Sequence, residues 1–121
     1  MRSLDEKLSE TLADVGKLYA SLSPRQQQVG CFREVLGYTY KQIDTALSFR
    51  SAQKYYVRAT EKLTGVSSGD FSRLHQLTNK QKEVYVLRQC LGYSFKDIGK
   101  AVGKTTNTVI DHFHRAKKKL K

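Results

Sequence analysis

Apolar residues recur at steps of three and four along most of the chain, which is the spacing of amphipathic α-helices. Over residues 3–21 this spacing predicts one helix, with Ser3 and Glu6 as a capping box. Its predicted buried stripe consists of Leu4, Leu8, Leu12, Val15 and Leu18. Further helices are predicted at about 24–36, 40–47, 51–63, 79–91, 95–102 and 106–119. No segment shows the strict alternation of a strand, so the predicted fold class is all-α, with about seven helices.

Cap and turn residues mark the ends of these helices. Ser23 and Thr78 stand just before two of them and are predicted N-caps. The glycines predicted to end helices are Gly37, Gly92 and Gly103. Residues 65–72 read GVSSGDFS, which is typical of a linker, and Asp70 is expected to open one further helical turn through Leu74.

Two parts of the chain carry nearly the same sequence. Residues 36–43 read LGYTYKQI and residues 91–98 read LGYSFKDI, fifty-five positions later. The segment before each also matches, with LSPRQQQV at 22–29 and LTNKQKEV at 77–84. Such a duplication predicts two copies of one small helical fold. The predicted units are an N-terminal amphipathic helix (1–21), a first repeat (22–64), a linker (65–76) and a second repeat (77–121).

The net charge of +11 is concentrated in the two repeats. It is −1 over residues 1–21, +4 over 22–64, zero over 65–76 and +8 over 77–121. A basic excess confined to the repeats favours a polyanionic partner, although a basic surface also serves solubility. No apolar run approaches the roughly 18 residues that span a bilayer, and no secretory signal is visible. We therefore expect a cytoplasmic, nucleoid-associated protein with no membrane partner.

Metal, nucleotide and catalytic sites are not expected. Cys31 and Cys90 lie in apolar helical patterns, which predicts buried free thiols, with a disulfide between the repeats as the alternative. The three histidines, His75, His112 and His114, lack the spacing of metal ligands. GKAVGKTT at 99–106 is similar to a phosphate-binding loop, but only three residues separate its glycines and no strand precedes it. The sequence thus predicts no cofactor and no enzyme.

In the second repeat, a short helix, a turn with Gly103 and a basic helix follow one another, as in a helix-turn-helix. Ile98 and Val102 are expected to hold the short helix against Val109 and Phe113 of the next. That contact would fix the basic helix so that its N-terminal end can enter the major groove of DNA.

The second repeat also contains the markers Leu77-Thr78, Glu83-Val84, Gly92-Tyr93-Ser94, Ile98, Gly103, Thr108-Val109, Arg115-Ala116 and Leu120. With these, residues 77–121 resemble the fourth region of bacterial sigma factors, which binds a promoter element. They are similar also to the DNA-binding domain of LuxR-type regulators. The first repeat matches less well, because 17 steps separate Ile98 from Arg115 but only 15 separate Ile43 from Arg58. We therefore expect a shortened turn or recognition helix there.

The resemblance and the helical wheel together place DNA contacts on the outward face of the last helix in each repeat. The expected base-reading residues are Thr105, Thr106, Asn107, Ile110 and Asp111 in the second repeat, and Ser51, Gln53 and Lys54 in the first. The expected phosphate ligands are Lys41, Arg50, Arg58, Lys96, Lys104, His114, Arg115, Lys117 and Lys118. Amide side chains such as those of Asn107 and Gln53 can bond adenine through two hydrogen bonds.

The predicted function is sequence-specific binding of double-stranded DNA by a transcription regulator with two unequal helix-turn-helix heads, as a monomer or a homodimer. The resemblance implies a bacterial or phage protein. One alternative is a sigma-like adaptor that binds RNA polymerase. Another is a DNA packaging or partition module of a phage or mobile element, in which the leucine stripe at 3–21 drives assembly. The competing use of that stripe is packing on the chain's own repeats.

Overall fold

A computed structural model of the chain describes residues 4–62 and 71–120. Within these ranges the protein has seven α-helices, one short 3₁₀ helix and no strand, which confirms the predicted all-α class. None of the described helices is long and apolar enough to cross a membrane. The α-helices are α1 (Leu4–Leu18), α2 (Pro24–Glu34), α3 (Tyr40–Leu47), α4 (Ala52–Lys62), α5 (Asn79–Gln89), α6 (Phe95–Val102) and α7 (Thr106–Lys119), and the 3₁₀ helix (Ser72–Gln76) precedes α5.

Capping side chains set the helix starts much as the sequence predicts. Ser23 and Thr78 cap α2 and α5, each by accepting a hydrogen bond from the backbone N–H three residues on. The bounds of α3, α6 and α7 coincide with the predicted ranges. The 3₁₀ helix lies where one further helical turn is predicted. Asp70, its predicted first residue, and Ser3 of the predicted capping box lie outside the described residues.

The apolar stripe of α1 is buried against the rest of the chain. Its buried residues include Leu8, Leu12 and Val15, as predicted. Leu18, however, is 45% exposed, and Tyr19 is fully buried in its place. The prediction for Leu18 is wrong, because Tyr19 takes the buried position and its ring packs beside Gly30 of α2. The stripe therefore serves the chain's own core.

Two contacts fix α1 beside the second repeat. A Cβ atom at Gly16 would lie 1.8 Å from the carbonyl oxygen of Cys90, so the two backbones touch where α1 crosses the end of α5. The Tyr85 hydroxyl of α5 donates a hydrogen bond of 2.6 Å to Asp5 of α1. Close backbone contact of this kind needs a glycine.

The two repeats build the same internal contacts. The Arg33 guanidinium lies 4.8 Å from the Tyr40 ring centre, and fifty-five residues later Arg88 lies 4.6 Å from the Phe95 ring centre. Each arginine also donates a hydrogen bond to a tyrosine carbonyl, of 2.8 Å in the first repeat and 2.9 Å in the second. The Tyr40 and Phe95 rings each pack on an aromatic ring of the following helix, Tyr56 or Phe113. Residues at equivalent positions thus make the same contacts in the two three-helix units.

The contact between the repeats is reciprocal. Tyr38 donates a hydrogen bond of 2.7 Å to Glu83, and Gln28 donates one of 2.7 Å to Tyr93. Gln28 is the counterpart of Glu83, and Tyr38 is the counterpart of Tyr93, at the offset of fifty-five. Helix α2 also contacts its counterpart α5, and α3 contacts α6. The repeats are therefore related by a pseudo-twofold axis, as the two copies in a homodimer are.

Burial keeps the Tyr38 hydroxyl and the Cys31 thiol protonated. Burial, followed by the hydrogen bond to Glu83, raises the pKa of Tyr38 above its usual range, so its hydroxyl stays protonated and can donate. Cys31 and Cys90 are buried and free, which confirms the expectation of free thiols over a disulfide. Burial, with the nearby Cys90 thiol, raises the pKa of Cys31 well above its usual range. Both cysteines therefore pack as small apolar groups.

Candidate nucleic-acid interface

α6, the turn after it and α7 form the helix-turn-helix of the second repeat. Ile98 and Val102 of α6 are buried, as are Val109 and Phe113 of α7, and the two helices pack on each other. Gly103 has φ of 70°, in the left-handed region that residues with side chains disfavour. These contacts hold α7 by one face and leave the start of its other face exposed.

The turn is tight because α6 has a glycine where the chain passes back over it. A Cβ atom at Gly99 would lie 2.6 Å from the carbonyl oxygen of Lys104. The Lys104 N–H in turn donates a hydrogen bond of 2.9 Å to the Gly99 carbonyl. Only two residues, Lys104 and Thr105, separate the left-handed Gly103 from the first residue of α7.

Thr105, one of the expected base-reading residues, is the N-cap of α7. Its hydroxyl oxygen accepts a hydrogen bond of 3.3 Å from the Thr108 N–H and donates one of 2.9 Å to the Thr108 hydroxyl. The hydroxyl is therefore engaged within the helix start. Thr106 and Asn107, directly after it, are exposed and have no such role.

Asp111 and Arg115, which the sequence assigns to different roles, form an ion pair. The Arg115 Nε lies 3.0 Å from an Asp111 carboxylate oxygen, and the two side chains are 67% and 57% exposed respectively. Ile110 beside them is half-buried. One turn of α7 thus combines an amide, an apolar side chain and a paired carboxylate on its accessible side.

Most of the expected phosphate ligands of the second repeat are exposed. These residues are Lys96, Lys104, His114, Arg115 and Lys118. Lys117 differs, because its ammonium group lies 3.8 Å from the Asp5 carboxylate of α1 and 5.7 Å from the Phe113 ring centre. Its position suits the attachment of α1 better than a contact with DNA.

The first repeat begins its last helix at a different point. In α7, Thr106, Asn107 and Thr108 precede Val109, the first buried residue. In α4, the first residue is Ala52, which is itself buried. Ala52 and Ala59 are seven residues apart, as are Val109 and Ala116, so Ala52 corresponds to Val109. The first repeat therefore lacks the helical turn that would correspond to residues 106–108.

The turn of the first repeat reaches α4 by another route. Ser48 has φ of 57° and takes the left-handed conformation of its counterpart Gly103. Three residues, at 49–51, then lead to α4, and the Asp44 carboxylate accepts a hydrogen bond of 2.8 Å from the Ala52 N–H. The remaining expected contact residues of this repeat are all exposed: Lys41, Arg50, Ser51, Gln53, Lys54 and Arg58.

Two cations near the turns are absent from the sequence-based set. Lys100 is exposed on α6 one turn after Lys96, and the step of four residues could have indicated their shared face. Arg25 of α2 donates a hydrogen bond of 3.0 Å to the Tyr55 hydroxyl, and its guanidinium lies 5.7 Å from the Phe49 ring centre. No spacing in the sequence connects Arg25 with the turn at 48–51, because the contact joins separate helices.

The comparison with protein families identifies the second repeat. Residues 72–120 match the family model of sigma-70, region 4. This part of the chain is thus a sigma-70 region 4-like helix-turn-helix domain, a type of domain that binds DNA in transcription. The match begins at Ser72, so the domain includes the 3₁₀ helix as well as the predicted second repeat.

Neither the search of curated proteins nor the search of solved structures found a match. The family match leaves α1 to α4 outside its bounds. Over the described ranges, no cluster of three or more His, Cys, Asp or Glu side chains could hold a metal ion. The region 4-like domain therefore carries the functional assignment, and the geometry of its accessible face gives the detail.

Proposed function

We propose that the protein is a sequence-specific regulator of transcription that inserts the start of α7 into the major groove of double-stranded DNA. The observation that carries this proposal is the exposed first turn of α7, held in place by the buried face of a region 4-like domain. A recognition helix reads base edges with its N-terminal residues. The net charge of +11 gives the long-range attraction to DNA that such a protein needs.

Thr106, Asn107, Ile110 and Asp111 are the proposed base-reading residues. Asn107 can bond adenine with two hydrogen bonds, and the methyl groups of Thr106 and Ile110 can contact a thymine methyl. Asp111 can accept a hydrogen bond from the cytosine amino group, and its ion pair with Arg115 holds its carboxylate in place.

The proposed phosphate ligands of this domain surround those residues. They are Lys96, Lys104, His114, Arg115 and Lys118, all exposed. Phosphate contacts fix the register of the protein on the duplex without reading sequence. Lys117 and Thr105 are left out of the proposed contacts, since Lys117 pairs with α1 and Thr105 caps α7.

Selection of bound sequences from a random pool of duplexes tests the proposal. The expected result is enrichment of one motif, which then shows protection in a footprint and an affinity that falls steeply with salt. Binding to all duplexes alike, or to none, would contradict sequence-specific recognition.

A second candidate is a sigma-like adaptor that contacts RNA polymerase, and the match to region 4 supports it. Regions of this type combine DNA recognition with a polymerase contact. Retention of purified polymerase on the immobilised protein without DNA would favour the adaptor, and no retention would favour a regulator that acts alone. The packaging alternative has less support, because the stripe of α1 that would drive assembly is buried in the chain's own core.

A further inference from the structure

The first repeat lacks the helical turn that holds Thr106 and Asn107 in the second repeat, but it carries exposed cations at the start of its last helix. Ala52 is both the first residue of α4 and its first buried residue, so no exposed turn precedes the core. Arg50, Lys54 and Arg58 nevertheless remain exposed around the start of that helix. A surface with cations and without a projecting helix end suits phosphates better than base edges.

A cleft occupies the place where the missing helical turn would lie. It has a volume of about 470 Å³ and lies between the start of α2, the turn at 48–51 and the start of α4. Its charged lining residues are Arg25, Arg50 and Lys54. The guanidinium of Arg25 is fixed by the Tyr55 hydroxyl at 3.0 Å and by the Phe49 ring, so one of the three cations is held in position.

Two carboxylates of the first repeat already accept hydrogen bonds within the repeat. Asp44 accepts the Ala52 N–H at 2.8 Å, and Glu34 accepts a hydrogen bond from Tyr56. Neither carboxylate lines the cleft. The cleft therefore presents a positive surface to an anion.

A second cavity connects this cleft with the region 4-like domain. It has a volume of about 430 Å³ and is lined by Leu47 and Phe49 at the end of α3 and by Lys100 and Ala101 at the end of α6. Phe49 lines both spaces. Exposed cations thus border both spaces, Arg50 and Lys54 at the cleft and Lys100 at the second cavity, where Asp97 is the acidic lining residue.

The two turns lie close together. Leu47 and Phe49 border the first turn, Lys100 and Ala101 precede the second, and all four residues line the same cavity. A duplex bound by α7 therefore passes close to the cleft of the first repeat.

From these observations we infer that the first repeat is a phosphate clamp, which grips the backbone of the same duplex beside the α7 site and reads no bases. This inference rests on the proposed function. It reassigns Lys54 from base reading to phosphate binding, adds Arg25 to the phosphate ligands and keeps Arg50 in that role. Ser51 and Gln53 then contribute no sequence preference.

Binding of the intact 121-residue chain to two duplexes tests the clamp. Both carry the selected motif, one about 12 bp long and the other about 30 bp long, so that only the longer one extends past the α7 site by at least one helical turn. The test variant is the double substitution Arg50→Gln and Lys54→Gln. The control is Lys7→Gln with Lys17→Gln, which removes two exposed charges from α1.

Each phosphate contact contributes about 0.9 to the slope of log K against log salt. Loss of two contacts makes the slope shallower by about 1.8. When the salt is raised from about 50 to about 200 mM, the affinity of the wild type should therefore fall about tenfold further than the affinity of the variant. We expect this change on the long duplex only, with the preferred motif unchanged and the control variant close to the wild type.

Three results would overturn the clamp while leaving the proposed function intact. The first is an unchanged salt slope on the long duplex, and the second is an equal change of slope on the short duplex. The third is a change in the preferred motif, which would mean that the first repeat reads bases. A wild-type protein that binds no preferred duplex would instead contradict the proposed function itself. Circular dichroism of each variant shows whether the fold is retained.

Discussion

The two repeats share a core and differ at the surface that a helix-turn-helix presents to DNA. Both stack an arginine on an aromatic ring and pack that ring on the last helix. The difference begins at one position of the short helix, which is Asp44 in the first repeat and Gly99 in the second. Gly99 lets the chain turn back at once into α7, whereas Asp44 caps an α4 that starts later.

This difference shows which parts of the motif are free to change after a duplication. The packed residues of each repeat also hold the other repeat, through the bonds Tyr38–Glu83 and Gln28–Tyr93. A change there would destabilise both units. Residues 106–108 at the start of α7 are exposed, so the absence of their counterparts in the first repeat leaves the core intact.

The largest expected effect concerns Gly99. Replacement by Ala places a Cβ atom 2.6 Å from the Lys104 carbonyl oxygen, and we expect this to destabilise the protein by about 3 kcal/mol, because the backbone of the turn must shift. Alanine alone would stabilise a helix interior by about 1 kcal/mol relative to glycine. The sign of the change in unfolding free energy therefore decides whether the close approach exists. Urea denaturation followed by circular dichroism measures it.

Asp44→Ala is the matched substitution in the first repeat. It adds no atoms and removes only the cap of α4, so the expected loss is about 1 kcal/mol. Equal effects of Gly99→Ala and Asp44→Ala would mean that the two turns are built alike, against the comparison made above.

The second prediction concerns the two tyrosines of the repeat interface. Tyr38→Phe removes the donor to Glu83, which is only 3% exposed and keeps Lys80 at 3.9 Å as its remaining charged partner. We expect a loss of about 2 kcal/mol, because a buried carboxylate oxygen is left unsatisfied. Tyr93→Phe leaves the half-buried Gln28 able to bond water, so about 0.5 kcal/mol is expected. Equal losses in urea denaturation would contradict the difference in burial.

The third prediction separates the two recognition helices by base preference. Asn107→Ala should relax the preference at one base pair by about 1.5 kcal/mol, or about tenfold, because its hydrogen bonds to a base are lost. Gln53→Ala, in the first repeat, should leave the preferred motif unchanged. Lys104→Ala should weaken binding to all duplexes alike, since Lys104 is an exposed residue proposed to contact phosphate. Competition binding with single-base variants of the motif measures all three effects. A relaxed base preference in Gln53→Ala would mean that the first repeat also reads bases.

Local patterns predict the second repeat almost completely. The ranges 95–102 and 106–119 agree with α6 and α7, because a glycine turn and regular apolar spacing specify the same ends. The shortened head of the first repeat is also expected from the sequence, since the spacing from Ile43 to Arg58 is two residues short. Features that depend only on residues close together in the sequence can thus be predicted from it.

Contacts between distant parts of the chain could not be predicted. The spacing of apolar residues allows either Leu18 or Tyr19 to follow Val15, and only packing against other helices decides that Tyr19 is the buried one. Lys117 fits a phosphate role on the helical wheel, yet it pairs with Asp5 because α1 packs beside α7. The bonds Tyr38–Glu83 and Gln28–Tyr93 join residues 45 and 65 positions apart, which no periodicity connects.

The smallest expected effect concerns the residue at which each turn begins. Ser48 has φ of 57°, a conformation that disfavours residues with a Cβ atom, and its counterpart Gly103 has φ of 70°. Ser48→Gly should therefore stabilise the protein, by about 0.5 kcal/mol after the added flexibility of the unfolded chain is counted. Gly103→Ser should destabilise it by about 1 kcal/mol, since the serine must adopt the left-handed region. If thermal unfolding shows both substitutions to be destabilising, Ser48 contributes a bond that glycine cannot replace, and the two turns are less alike than their dihedral angles indicate.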